Sequence, residues 1–158
     1  MDYTPLPGGD FEGGMSGWSM SGGAAVVNGN APQRVGGAGD ASSLAIPAGG
    51  SVTSATICVG LEHPTVRFFA KRRSTGLLAS VSALRVDVMF ELSSGDVATL
   101  PISVVPSNGS WQPTLPLLAV ANLLPLLPGE HTPIALRFVA QNGDWSVDDV
   151  YVDPYGRK

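Results

Sequence analysis

The chain has 158 residues, room for one domain with a proper core and little for two. It is 44% hydrophobic and only 14% charged, which excludes a disordered chain. Its net charge of −4 argues against a nucleic-acid partner, whose phosphates demand a basic face.

A single cysteine, Cys58, excludes an intrachain disulfide and any multi-cysteine metal site. Twenty glycines and thirteen prolines without a three-residue period imply frequent turns, and frequent turns imply short strands. The most apolar run, Leu115 to Leu127, is interrupted by Pro116 and Pro125, so no membrane span is expected. The first residues carry neither a basic nor an apolar segment of the kind a signal peptide needs.

In chain order, residues 1–9 read as an irregular lead-in. Asp10-Phe11-Glu12 reads as extended, with Phe11 on one side and the two acids on the other. Glycines bracket Trp18, whose indole is expected in the core. Ala24 to Val27 is a short strand, and Asn28-Gly29-Asn30 is a hairpin signal. A glycine-rich loop ending at Asp40 precedes the strand Ser43 to Ile46, and Gly49-Gly50 turns the chain into Ser51 to Val59. Within that run Cys58 reads as a small buried apolar residue.

Thr65 to Lys71 places Val66, Phe68 and Ala70 on one face. The clearest alternation is Leu84 to Leu92, with Arg85, Asp87 and Glu91 pointing out and the apolar residues between them pointing in. Ser94-Gly95-Asp96 turns the chain into a hairpin partner, Val97 to Val105. Asn108-Gly109 leads to Trp111, and Leu117 to Leu124 is the one helical candidate. Ile134 to Val139 alternates again, and Asn142-Gly143 turns into the last strand, Trp145 to Asp153, with Asp148-Asp149 inside a β-forming run. Some eight to ten short strands at this spacing point to an all-β antiparallel sandwich or barrel, one domain over residues 1–158. The last strand is expected to pair with the first motif in one sheet.

If the ends pair, Asp10, Glu12, Asp148 and Asp149 converge. Crowded carboxylates repel unless protons or a cation intervene, and Ca²⁺ is the hard cation that suits oxygen-rich loops. The other reading is that these acids face solvent or cap loops. Trp111, Trp145 and Tyr155 are the aromatic candidates for stacking on a sugar. No serine sits in a nucleophile elbow, no glycines form a phosphate loop, and no two acids are placed to flank a cleft, so an enzyme is not expected.

Gly9-Asp10-Phe11-Glu12 followed by Gly17-Trp18, then Ser43-Leu44 after the glycine-rich loop, then Val147-Asp148-Asp149-Val150, resembles the galactose-binding-like jelly rolls. Among these it is most similar to carbohydrate-binding modules whose first strand reads N-G-D-F-E and whose last carries I-D-D-V. The resemblance implies a jelly-roll topology, a non-catalytic glycan-binding role and an extracellular or cell-surface setting. It also implies a structural calcium between the first motif, the loop near Gly39-Asp40 and the last-strand acid, which implicates Glu12, Asp40 and Asp149. The alternative is a structural or self-associating sandwich without glycan binding, forming a homo-oligomer through the leucine-rich residues 115–127.

Overall fold

The computed structural model describes residues 4–13, 15–32, 39–60, 65–77, 79–92, 94–114, 117–118 and 131–153. In chain order the strands are β1 (Thr4–Pro5), β2 (Ser19–Ser21), β3 (Ala25–Asn28), β4 (Ser42–Ile46), β5 (Ser51–Thr53), β6 (Ile57–Gly60) and β7 (Thr65–Arg72). A 3₁₀ turn at Ala79–Val81 follows, then β8 (Ala83–Glu91), β9 (Val97–Val105), β10 (Gln112–Pro113), β11 (Leu117–Leu118), β12 (His131–Gln141) and β13 (Trp145–Asp153).

All pairings are antiparallel, and they sort into two sheets. The first runs β10-β7-β13-β4-β3, with β1 on β13 and β11 on β7; the second runs β2-β5-β12-β8-β9, with β6 on β12. This is a sandwich, one of the two architectures the strand rhythm allowed, with the jelly-roll character that the family resemblance implied. The chain changes sheet at its glycine turns. Gly49-Gly50 carries it from β4 to β5, and Asn142-Gly143 from β12 to β13.

The core is where the inner faces meet. Leu44, Ile46, Val66, Phe68 and Val147 of the first sheet pack against Val52, Leu84, Val86, Leu136 and Phe138 of the second, all fully buried. Phe68 and Phe138 meet edge to face across the interface, with centroids 5.1 Å apart. Trp18 is buried as expected; its ring packs edge-on against Phe11 and its indole N–H donates to the Pro7 carbonyl at 2.7 Å.

Several local expectations change. Phe11 is not in a strand: it lies in a tight turn at φ 59°, because the ring folds inward to reach Trp18. The N-terminal pairing with the last strand is made two residues of strand earlier, at Thr4↔Val152 and Pro5↔Tyr151. It continues as Leu6 N–H to Val150 O and Val150 N–H to Gly9 O. Gly9 is required there, since a Cβ would lie 2.6 Å from the Val150 carbonyl oxygen. Asn28-Gly29 does not close a tight hairpin; β3 and β4 pair around the whole of residues 29–41, with Gly29 N–H bonded to Ala41 O. The proposed helix at Leu117 begins instead as a strand on β7, and residues 119–124 lie outside the described part.

Cys58 is exposed rather than buried. It lies on β6, which pairs with β12 alone, and the neighbouring Ile57 is the side chain that turns to the core. Leu92 falls past the end of β8 and is 45% exposed. Replacing Phe138 by Ala removes one partner of the inter-sheet ring pair; denaturant unfolding is expected to show a loss of about 3–5 kcal/mol.

Candidate functional site

The outer faces of the two sheets differ in kind. On the first sheet, many residues that point away from the core are nonetheless covered. Ser43, Ala45, Phe69, Ser146, Asp148 and Tyr151 are all buried. Ala31 closes over this face, forming a second small cluster with Phe69 and Tyr151 against which Trp111 packs. Its N–H donates to Asp148 Oδ2 at 2.7 Å.

This arrangement follows from a bulge in β13. The register against β7 shifts between Asp148 and Tyr151, and Asp149 sits in the left-handed region at φ 46°. The extra residue keeps Val147 and Val150 both in the core while Asp148 and Tyr151 face out. Asp149 N–H donates to Asp148 Oδ1 at 2.9 Å, which steadies the bulge.

The sequence-derived acids divide into two groups. Asp10 and Glu12 are loop caps: Asp10 Oδ1 accepts from Glu12 N–H, and Glu12 Oε1 accepts from the N–H groups of Ala41 and Ser42 at 2.7 and 2.6 Å. Those backbone donors, Ser42 first, hold the Glu12 carboxyl below the usual carboxylate range. Asp40, Asp148 and Asp149 are buried. Burial pushes the Asp148 carboxyl up to about 7, and the charges of Asp149 and Asp40 act in the same direction. Among the described residues, no three His, Cys, Asp or Glu side chains form a group able to hold a metal ion.

The aromatic candidates also separate. Trp145 has no exposed ring face; it is a core residue whose indole N–H donates to Ser82 Oγ at 2.9 Å, so it offers nothing for a sugar to stack on. Its turn-side position misled, because the Asn142-Gly143 turn crosses between sheets rather than leading into solvent. Trp111 is half-buried, with the Lys71 ammonium 5.8 Å from its ring centre. Tyr155 lies outside the described residues.

The outer face of the second sheet is open. At its centre Asp87, expected to point to solvent, points outward but is fully buried, because two arginines enclose it. Arg85 binds it through Nε to Oδ1 at 3.0 Å and Nη2 to Oδ2 at 3.1 Å. Arg137, directly opposite on β12, adds Nε and Nη2 to Oδ2 at 3.2 and 3.0 Å. One carboxylate thus fixes two guanidiniums, each 31% exposed, and leaves a local charge of +1. Thr53 neighbours Arg137 on β5, and Pro101 neighbours Asp87 on β9. One step along the strands lies a hollow of about 270 Å³ whose lining includes Thr56, Met89, Phe90, Glu91, Pro133 and Ala135. The sequence showed Arg85 as outward-facing; its meeting with Arg137 on one aspartate depends on the β8–β12 register, which no single-strand pattern carries.

The structure superposes along its whole length on the N-terminal modules of a xylanase. This is the endo-1,4-β-D-xylanase 10B of Clostridium thermocellum, a family 22 carbohydrate-binding module joined to its GH10 module and complexed with xylohexaose. The TM-score is 0.60 at 18% identity, and the match spans 30% of that chain. The family 11 module from Clostridium thermocellum, in complex with a β-1,3-1,4-mixed-linked tetrasaccharide, matches 99% of this chain and 98% of its own, with a TM-score of 0.52 at 14% identity. The fold is that of these carbohydrate-binding modules. The enzymatically active domain of bacteriophage CBA120 tailspike protein 4 also contains it, with a TM-score of 0.60 at 16% identity over 96% of this chain and 21% of that one. No protein-family model matches the sequence, and no curated protein matches it.

Two outcomes follow. Asp148 holds a proton in the native state that the unfolded chain has released above about pH 4. Its contribution is therefore present below about pH 4 and lost as pH rises to about 7, and urea midpoints of the Asp148→Asn variant should gain on the wild type over that window. Replacing Asp87 by Ala leaves two guanidiniums facing each other unpaired; unfolding is expected to show a loss of about 3–5 kcal/mol, the scale for breaking a buried pair.

Proposed function

We propose that this protein is a non-catalytic module that binds a glycan on the open outer face of its second sheet. The observation that carries the reading is the Arg85–Asp87–Arg137 cluster beside the hollow at Met89 and Ala135. Sugar hydroxyls are neutral, dense hydrogen-bond partners. Guanidiniums locked by a buried carboxylate meet them with little ordering cost. The shared fold supports this reading, since the neighbours named above include modules complexed with xylohexaose and with a mixed-linked tetrasaccharide. A catalytic role gains no support from the acids. Asp87 is held by two arginines, and Asp40, Asp148 and Asp149 are buried on the other sheet.

A structural calcium near Asp40, Asp148 and Asp149 belongs to the same proposal. Three buried carboxylates, two of which act on the charge of the third, Asp148, are a natural place for a hard cation, and oxygen is its preferred donor. The side chains alone do not make the site, so backbone carbonyls would have to complete it. Because the ion competes with the Asp148 proton, millimolar Ca²⁺ should raise the melting temperature at pH 8 more than at pH 5, and EDTA should abolish the gain.

The second reading is an assembling sandwich that binds no sugar. It is favoured by the open face itself, where the hollow has a single aromatic residue, Phe90, partly packed against the core, and it would place self-association at residues 115–127. Affinity electrophoresis in gels containing xylan or mixed-linked β-glucan separates the two. Binding predicts retardation by at least one polysaccharide, reduced about tenfold or more in Arg137→Gln, the scale of one charged hydrogen bond. No retardation by either, with a melting point that rises with protein concentration, favours assembly.

A further inference from the structure

The last strands of the two sheets, β10 and β9, do not close against each other. Between them lies a cleft of about 320 Å³, on the side of the sandwich rather than on either outer face. Ala70 and Trp145, both buried, lie beneath its floor; Val104, Pro106 and Pro113 form exposed apolar walls. Its polar groups are the hydroxyls and amides of Ser103, Ser107, Asn108, Gln112 and Thr114. Among the described residues, no charged side chain lines it.

The wall is fixed before any ligand arrives. Arg72 N–H donates to the Asn108 carbonyl at 2.7 Å, and the Arg72 guanidinium donates to Ser107 Oγ, whose hydroxyl donates to Ala79 O at 2.6 Å. Thr114 Oγ1 is used internally, accepting from Phe68 N–H at 3.2 Å. Asn108 Oδ1 accepts from the N–H and O–H of Ser110, both at 3.1 Å, so its amide nitrogen is the end left to donate. Ser103, half-buried, and Gln112, exposed, flank the apolar floor. A ligand here meets the apolar walls of Val104, Pro106 and Pro113 with hydroxyl and amide groups beside them, and no charge among the described lining residues.

We propose that this side cleft is a second binding site, distinct from the open face, for the end of a neutral saccharide. A pyranose has the matching build, C–H faces for the valine and proline walls and hydroxyl edges for Ser103, Asn108 and Gln112. A charged sugar would leave its charge unpaired in the cleft. The volume lies at the lower end of the range for small-molecule sites, which suits one terminal unit and not a chain passing through.

The test is amide NMR of the full chain titrated with xylobiose and with cellobiose. At millimolar sugar, the amides of residues 103–108 and 112–114 shift on adding one or both. These shifts persist in Arg137→Gln, which impairs only the open face, and weaken at least tenfold in apparent affinity in the Ser103→Ala/Gln112→Ala double variant. Neither substituted side chain carries core packing, so a folded spectrum is expected as the control. Movement of only the open-face amides, no movement with either sugar, or cleft shifts unchanged in the double variant would each overturn the second site. Cleft shifts without open-face shifts would overturn the open-face reading and leave this one standing.

Discussion

The bulge in β13 is the constraint on which the rest of the molecule depends. One inserted residue, Asp149, turned left-handed, lets Val147 and Val150 share the core while Asp148 and Tyr151 share the outer face. Two segments then dock on it. The N-terminal lead-in bonds Val150 from both sides through Leu6 and Gly9, and the loop before β4 lays Ala31 on Asp148. A strand without the bulge would send Val150 outward and Asp149 into the core, an exchange of an apolar residue for a charge that no domain of this size could absorb.

Docking of those segments has a consequence on the far side of the sandwich. With the centre of the first sheet's outer face covered, the second sheet presents the more open outer face among the described residues. Its centre is built by the same alternation that fills the core. Leu84, Val86 and Val88 point in, and Arg85 and Asp87 point out, where the β12 register delivers Arg137. The carboxylate is dry and the guanidiniums are wet at their tips. A pair of like charges is thereby held rigidly at a surface where free arginines would spread apart.

The period-2 pattern made the sheets legible in the sequence, and the hairpin of β8 and β9, with its Ser94-Gly95-Asp96 turn, was readable almost residue by residue. The sheet-crossing turns were not. Asn142-Gly143 has the composition of a tight hairpin, yet it joins strands of different sheets, and that is why Trp145 is core and not platform. Phe11 and Cys58 went wrong for related reasons. Phe11 is pulled out of extended geometry by Trp18, and Cys58 lies on a strand with a single neighbour, facts of tertiary packing that alternation alone does not contain. The acids of the last strand stand out in the sequence as charges inside an apolar run. Their division from Asp10 and Glu12 depends on the bulge, and a one-residue register shift leaves no signature in composition.

The central claim is that ligand recognition belongs to the open face of the second sheet. Hydrogen exchange measured by mass spectrometry, with and without xylohexaose, tests it most directly. The account predicts added protection in the peptides covering β8, β9 and β12, centred on Arg85 and Arg137, with β4, β7 and β13 unchanged. Protection confined to the first sheet around Trp111 and Tyr151, with the Arg85–Asp87–Arg137 strands unaffected, would contradict it.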